Sequence, residues 1–227
     1  MKRILTVICV FLAAWTVQAQ KVSILGDSYS TFPGYVSPAW NFLWYGSEYQ
    51  LSEGVNDVRK VEETWWHQVI QAMNYTLEKN NAFSGSTVSY TGYNGEVYAD
   101  RAFITRMADL GDPDVILILA GTNDSWAGAP VGNYIYSNWT RQQLFCFRPA
   151  FCYLMDYLVR NYPKARILNI CNSELSPEVT ETEAEVCAHF QVQNLLLRDI
   201  EKQNGHPSVA GMKAIASQVI EALAKRE

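Results

Sequence analysis

The amino-acid sequence predicts an α/β fold, a flavodoxin-like three-layer sandwich in which a five-stranded parallel sheet is flanked by helices. Two observations support this prediction. Short apolar runs alternate along the chain with longer helical segments, as in parallel strands joined by crossover helices. The run Val115–Ala120 is continuously apolar, which is typical of a strand buried on both faces. We therefore expect this strand to lie at the centre of the sheet.

The predicted strands and helices alternate along the chain. Strands are predicted at residues 22–25, 75–80, 115–120, 166–170 and 192–197. Helices are predicted at residues 64–73, 100–110, 149–161, 178–189 and 209–225. Right-handed crossovers between successive strands would place these helices on both faces of the sheet.

Local signals delimit several of these helices. Residues 64–73 have an amphipathic pattern, and Asp112-Pro113 follows the second helix as a stop. The helix at 149–161 opens at a proline and closes before Pro163. Ser208 is placed to cap the amino end of the last helix.

The beginning of the chain has the pattern of a secretory signal. Met1-Lys2-Arg3 is charged, residues 4–17 are mostly apolar, and Gln18-Ala19-Gln20 offers a small residue for cleavage. Cleavage after Ala19 would leave residues 20–227 as a single domain, exported to the periplasm or secreted. The apolar segment is too short for a comfortable membrane span, so we expect no membrane insertion.

Charge and cysteine content limit the classes of partner and site. The chain has 23 acidic and 18 basic residues, and the signal contains two of the basic ones, so nucleic acid is not an expected partner. The spacing of the remaining cysteines offers no zinc site, and disulfides and buried thiols both stay open. These cysteines are Cys146, Cys152, Cys171 and Cys187.

Two long segments rich in aromatic residues interrupt the alternation. Residues 29–63 and 126–141 each follow a strand that ends in a polar motif. Such loops form either the walls of a pocket or a cap over the core, and the two roles are compatible. Tyr29 and Trp126 stand near the start of these loops, and we expect both to contact substrate.

Ser28 and His206 are the candidate nucleophile and base. The strand at 22–25 runs into Gly26-Asp27-Ser28, a turn that can raise a serine at the carboxyl edge of a sheet. Of three histidines, His67 and His189 occupy solvated helix positions. His206 precedes a proline, which keeps it out of a helix and in a loop that could reach Ser28.

Four sequence blocks in this order resemble those of the SGNH hydrolases, also called the GDSL esterase/lipase family. They are Gly26-Asp27-Ser28-Tyr29-Ser30, residues 81–87, Gly121-Thr122-Asn123-Asp124 and Gly205-His206-Pro207. The resemblance spans almost the whole mature chain. It implies a serine esterase that needs no metal and no organic cofactor. It also implies an oxyanion hole formed by the backbone N–H groups of Ser28 and Gly85 and the side-chain amide of Asn123.

The chain departs from the family at the acid that orients the histidine. An Asp usually stands three residues before the histidine, and here that residue is Gln203. Asp199, after the last predicted strand, is our candidate for the acid, while a Ser-His dyad supported by a backbone carbonyl stays open. We expect Asp27 and Asp124 to fix loops through hydrogen bonds to backbone N–H groups.

These features favour an exported esterase that removes small acyl groups, above all acetyl, from a carbohydrate or a similar polar substrate. A carbohydrate-binding protein with impaired turnover is the alternative from another class, because Gln203 replaces the expected acid. A lipase or thioesterase of the same family is a further alternative. A flavodoxin-like binding domain lacks support, because no phosphate-binding glycine pattern with a lysine follows the first strand.

Overall fold

The structure, a computed structural model, describes residues 18–225, apart from the side chains of residues 49, 51 and 52. Five parallel strands form one sheet in the order β2-β1-β3-β4-β5, which confirms the predicted fold class. They are β1 (Lys21–Gly26), β2 (Thr76–Ala82), β3 (Val115–Ala120), β4 (Arg166–Cys171) and β5 (Gln193–Leu196). The predicted signal sequence lies outside the described residues except for Gln18 and Ala19.

Helices cover both faces of the sheet, and a short antiparallel hairpin, β6 (Lys202–Gln203) and β7 (His206–Pro207), precedes the last helix. The helices are α1 (Glu48–Glu53), α2 (Trp65–Met73), α3 (Phe103–Arg106), α4 (Thr122–Ala127), α5 (Phe147–Asn161), α6 (Pro177–His189) and α7 (Val209–Ala224). Within the described residues, none of them is long and apolar enough to cross a membrane.

The central strand β3 divides the core into two apolar layers. Its six residues are all buried, and because side chains alternate along a strand they enter the two layers in turn. Ile116, Ile118 and Ala120 pack with α3, α5 and α6. Val115, Leu117 and Leu119 pack with α2 and α7. The strand is thus buried on both faces, as its continuous apolar run predicts.

Some elements differ from their predicted bounds because side chains capture backbone groups. The helix predicted at 100–110 contains only Phe103–Arg106. The Asn81 side-chain amide donates to the carbonyls of Arg106 and Asp109, at 3.1 and 2.8 Å, and the Ser23 hydroxyl donates to that of Leu110 at 2.7 Å. These carbonyls therefore have partners without a longer helix.

Other predicted bounds shift by a few residues. Strand β2 extends through two buried asparagines to Ala82, and Asn80 donates to the Ser30 carbonyl at 2.9 Å. Strand β5 ends at Leu196. Ser208 caps α7 as predicted, because its hydroxyl accepts from the Gly211 N–H at 3.1 Å.

The four cysteines between residues 18 and 225 are free thiols, and three of them are buried. Cys171 and Cys187 lie near the buried carboxyl of Glu183, and burial raises the pKa of both thiols. Of the two possibilities left open by the sequence, the structure shows thiols.

Glu183 on α6 is fully buried. Its Oε2 accepts from the Asn169 amide at 2.7 Å, whereas Oε1 has no hydrogen-bond partner among the described residues. Burial raises the pKa of Glu183 to about 8, and the nearby carboxylates of Asp124 and Asp27 add to the increase. The folded protein therefore favours the protonated form of this carboxyl.

This carboxyl makes stability depend on pH in a defined direction. Because the pKa is raised to about 8 in the folded state, the stability from Glu183 is present at acidic pH and declines as pH rises towards that value. The melting temperature should fall less between about pH 5 and pH 9 in Glu183→Gln than in the unsubstituted protein. In a domain of this size, each kcal/mol of unfolding free energy corresponds to roughly 2–4 °C in melting temperature. Thermal unfolding across this range measures it, and equal pH slopes in both proteins would contradict it.

Candidate active site

Ser28 stands in a tight turn at the carboxyl end of β1. The turn requires glycine at position 26, where a Cβ would lie 2.5 Å from the Ser30 hydroxyl. Asp27 caps the 3₁₀ turn Ser28–Ser30 by accepting the Tyr29 N–H at 2.9 Å. This arrangement places Ser28 at the edge of the sheet, as predicted.

His206 meets Ser28 from the opposite end of the chain. Its Nε2 lies 2.9 Å from the Ser28 Oγ, although the two residues are 178 positions apart. Its Nδ1 lies 3.2 Å from the carbonyl oxygen of Asn204. A Nδ1–H donated to that carbonyl leaves Nε2 free to accept the serine proton. The structure thus brings together the two residues that the sequence singles out for chemistry.

Burial keeps this imidazole neutral. Desolvation lowers the pKa of His206 to about 4; the Asn204 carbonyl opposes the decrease, and the charge of Lys202 adds to it. A neutral imidazole is the form that can take a proton from serine. His206 is therefore in this form throughout the physiological pH range.

The acid limb of the pH profile follows from this pKa. Protonated His206 cannot accept the serine proton, so we expect kcat/KM for an acetate ester to stay constant down to about pH 5. Below that it should fall with a midpoint near the value of about 4 set by burial. Initial rates across the acid range measure the limb, and a midpoint near 6.5, the ordinary value for histidine, would contradict the account.

The expected acid is not beside the histidine. Strand β5 ends at Leu196, and Asp199 lies beyond it in an exposed turn with φ of 55°. Among the described residues, no hydrogen bond joins Asp199 to His206. Gln203 pairs with His206 across the β6–β7 hairpin. The Asn204 carbonyl therefore occupies the place in which we expected Asp199.

A loop and the first turn of α4 reach the space beside Ser28. Gly85 has φ of 73°, and a Cβ there would meet nothing within 4 Å, so its backbone borders open space. The Asn123 amide donates to the Ser86 carbonyl at 3.0 Å and makes a longer contact of 3.4 Å with Asp27. Ser28, Gly85 and Asn123 all line one cavity, together with His206.

Asp124 fixes the loop behind Gly85, as predicted. Its carboxylate accepts the Val88 N–H at 2.7 Å, the Ser89 N–H at 3.2 Å and the Ser89 hydroxyl at 3.0 Å. Burial raises the pKa of Asp124 to about 7, and these three donors oppose that increase. Because all three of these donors belong to Val88 and Ser89, Asp124 holds this loop in place.

Arg106 is a structural residue that was not predicted from the sequence. Its guanidinium donates to the carbonyls of Gly26 at 3.1 Å and Arg101 at 2.7 Å, to the carbonyl of Asn81, and to the Ser86 hydroxyl at 2.9 Å. It thereby ties the end of β1 to the Gly85 loop. The signal in the sequence was a single arginine within the apolar part of the segment at 100–110.

The cavity has a volume of about 250 Å³ and mostly aromatic walls. Trp126, predicted to contact substrate, lies in its wall and is 43% exposed. Phe42, Trp44 and Tyr93 also line it, although no sequence motif marks them. Tyr29, the other predicted contact, is instead fully buried beneath the β6–β7 hairpin that carries His206. Its hydroxyl donates there to the Gly205 carbonyl at 2.6 Å.

The chain matches a model of a known protein family. The family model described as GDSL-like lipase/acylhydrolase matches residues 20–223. The chain belongs to this family. It is accordingly a hydrolase, and each of the four sequence blocks that resemble those of the family contributes a residue to the cavity wall. A search of curated protein sequences gave no match.

Two solved structures described as GDSL-like lipases are similar to this GDSL-like hydrolase over most of their length. The one from Bacteroides uniformis ATCC 8492 is 57% identical with a TM-score of 0.88, covering 91% of this chain and 96% of that one. The one from Bacteroides ovatus ATCC 8483 is 45% identical with a TM-score of 0.87, covering 92% and 100%.

A more distant structure shares the fold. It is a family two carbohydrate esterase from Clostridium thermocellum in complex with cellohexaose. The identity is 17% and the TM-score 0.55, with 90% of this chain and 63% of that chain covered.

Proposed function

We propose that the protein is an exported serine esterase that removes acetyl or other small acyl groups from a carbohydrate or a similar polar substrate. The observation that carries this proposal is the 2.9 Å contact between Ser28 Oγ and His206 Nε2. This pair lies at a cavity of about 250 Å³, a size suited to a small acyl group.

In the acylation step, the Ser28 proton moves to His206 Nε2 as Oγ bonds to the carbonyl carbon of the ester. The carbonyl π electrons move to oxygen, and the resulting oxyanion is stabilised by N–H donors. When the tetrahedral intermediate collapses, the bond to the alcohol oxygen breaks and His206 protonates that oxygen. Water then repeats the sequence on the acyl-enzyme and releases the carboxylic acid.

Three donors would form the oxyanion hole, namely the backbone N–H groups of Ser28 and Gly85 and the side-chain amide of Asn123. The amide already donates to the Ser86 carbonyl, and its contact with Asp27 is long at 3.4 Å. A substrate oxyanion can replace that long contact. Tyr93 supports the orientation, because its hydroxyl donates to Asn123 Oδ1 at 2.8 Å.

The proposed substrate class rests on the exposed aromatic side chains at and beside the cavity, Trp40, Phe42 and Trp126. Aromatic faces stack on sugar rings, and Phe42 and Trp126 are both exposed at the cavity. Trp40 is 60% exposed next to Asn41, whose side chain bonds the Ala82 carbonyl and the Ser84 N–H at 3.0 Å each. The segment that carries Trp40 and Phe42 is thereby anchored to the loop that carries Gly85. The distant carbohydrate esterase with bound cellohexaose is compatible with this class.

The test compares acyl chain lengths and alcohol components. We expect kcat/KM on p-nitrophenyl acetate to exceed that on the octanoate by about 100-fold, because about six extra methylenes do not fit the cavity. We also expect the enzyme to release acetate from acetylated xylo-oligosaccharides. A preference for octanoate or longer chains would favour the lipase alternative instead.

A second candidate is a carbohydrate-binding protein with impaired turnover. The observation that favours it is the Asn204 carbonyl, in place of a carboxylate, at His206 Nδ1. Saturable binding of a deacetylated oligosaccharide, with hydrolysis no faster than that of Ser28→Ala, would support this candidate against the esterase.

Export and domain organisation are part of the proposal. The charged, apolar and small-residue pattern at the start of the chain favours a signal at 1–19 and a single domain at 20–227. Expression of the full chain in a bacterial host should give a periplasmic protein whose first residue is Gln20. An intact amino terminus in the cytoplasmic fraction would contradict it.

A further inference from the structure

His206 is surrounded by aromatic rings. The indole of Trp44 stacks on the imidazole with ring centroids 3.7 Å apart and planes at 11°. Three other rings lie around it, at centroid distances of 5.3, 5.9 and 6.2 Å, from Tyr29, Trp126 and Tyr45. We call these four residues the aromatic cage.

Trp44 stacks on His206 without a hydrogen bond from its own indole to any described residue. The indole Nε1 is buried and has no hydrogen-bond partner among the described residues. A buried N–H without a partner is unfavourable, so the orientation of this ring is not set by its polar atom. In the observed orientation, the indole ring instead contacts the face of the His206 imidazole.

The segment that carries Trp44 is hydrogen-bonded directly to the β6–β7 hairpin that carries His206. The Tyr45 hydroxyl donates to the Pro207 carbonyl at 3.2 Å. The Asn56 amide donates to the carbonyls of Pro207 at 3.1 Å and His206 at 3.4 Å. The aromatic cage and the imidazole are therefore held in one fixed arrangement.

The proposed reaction places a positive charge inside this cage. When Nε2 takes the Ser28 proton, the imidazole becomes an imidazolium, which a carboxylate usually stabilises. The Asn204 carbonyl offers only a partial charge, and the nearby Lys202 is positive, although Glu174 pairs with it at 3.0 Å. The other titratable groups of the cage are the Tyr29 and Tyr45 phenols, and burial raises the pKa of both. They are therefore neutral and offer no countercharge.

We propose that Trp44 is a positioning residue that takes over part of the role of the missing carboxylate. Its π face fixes the plane of the imidazole and stabilises the imidazolium by a cation–π interaction. This inference rests on the proposed esterase function. It assigns a role in proton transfer to a residue that would otherwise be part of the cavity wall.

The most direct test lowers the π-electron density of the Trp44 indole and keeps its shape. Site-specific incorporation of monofluoro- and tetrafluorotryptophan at position 44 weakens the π face while the volume and the exclusion of water stay nearly constant. We expect kcat on p-nitrophenyl acetate to fall stepwise, by about tenfold for the tetrafluoro ring, with KM little changed. The same replacement at Trp139, which packs on Tyr153 outside the cavity, is the matched control and should leave kcat unchanged.

A second readout does not depend on turnover. With only three histidines in the chain, NMR titration can follow His206 in the Ser28→Ala background. Fluorination at position 44 should lower the pKa of His206, because the imidazolium loses stabilisation. Unchanged kcat and an unchanged His206 pKa would overturn the role of Trp44. Failure of the esterase proposal would show differently, as equal hydrolysis by the Ser28→Ala and unsubstituted proteins.

Discussion

Replacing Ser28 by alanine should reduce kcat on p-nitrophenyl acetate by about 10⁶-fold, the scale observed when a nucleophilic serine is removed from a catalytic unit. The reason is chemical, since alanine has no oxygen to form the acyl-enzyme and the imidazole 2.9 Å away then has no proton to accept. Residual hydrolysis would come from water attack assisted by the oxyanion donors. Initial rates with the purified variant measure the loss.

The matched control for this variant is Ser137→Ala, an exposed loop serine outside the cavity. It should retain full activity. Thermal unfolding of Ser28→Ala should remain close to that of the unsubstituted protein, because the change removes only one hydroxyl. Activity within tenfold of the unsubstituted protein would remove Ser28 as the nucleophile.

Replacing His206 by alanine should lower kcat by about 10⁴-fold or more, and the Ser28→Ala/His206→Ala double variant should lose no more than the larger single loss. The two residues act in one step, so removing either disables the same proton transfer. Multiplicative losses in the double variant would contradict a shared step.

Asp199→Ala is the informative companion to the histidine variant. Because Asp199 lies in an exposed turn and the Nδ1 partner is the Asn204 carbonyl, we expect kcat to change by less than about twofold. A loss of about 100-fold or more would show that Asp199 supports the imidazole despite its place in the structure.

Residue patterns predicted the parts of this fold that depend on burial. Strand β3 is continuously apolar because both its faces are covered, and Ser208 caps α7 because a serine before an apolar run meets the free N–H groups there. Ser28 and His206 were candidates for another reason. Few side chains can act as nucleophile or base, and the chain has only three histidines.

The features that residue patterns could not locate depend on backbone conformation and on long-range packing. A backbone carbonyl beside His206 was one of the alternatives that the sequence left open, but the sequence did not show which carbonyl. The partner of His206 Nδ1 is a carbonyl whose direction follows from the turn at Asn204 and Gly205, where φ is 49° and 77°. Every residue has a carbonyl, so no residue type marks this one. Trp44 stands among many aromatic residues of its loop without periodicity, and only the folded loop shows which ring meets the histidine.

The central claim is that Ser28 is a nucleophile activated by His206, and covalent labelling tests it most directly. A fluorophosphonate reacts when a serine oxygen bonds to phosphorus and fluoride leaves. We expect one adduct per chain on the peptide that contains Ser28, formed much more slowly in His206→Ala. Labelling of a different serine, or an equal rate in both proteins, would contradict the account.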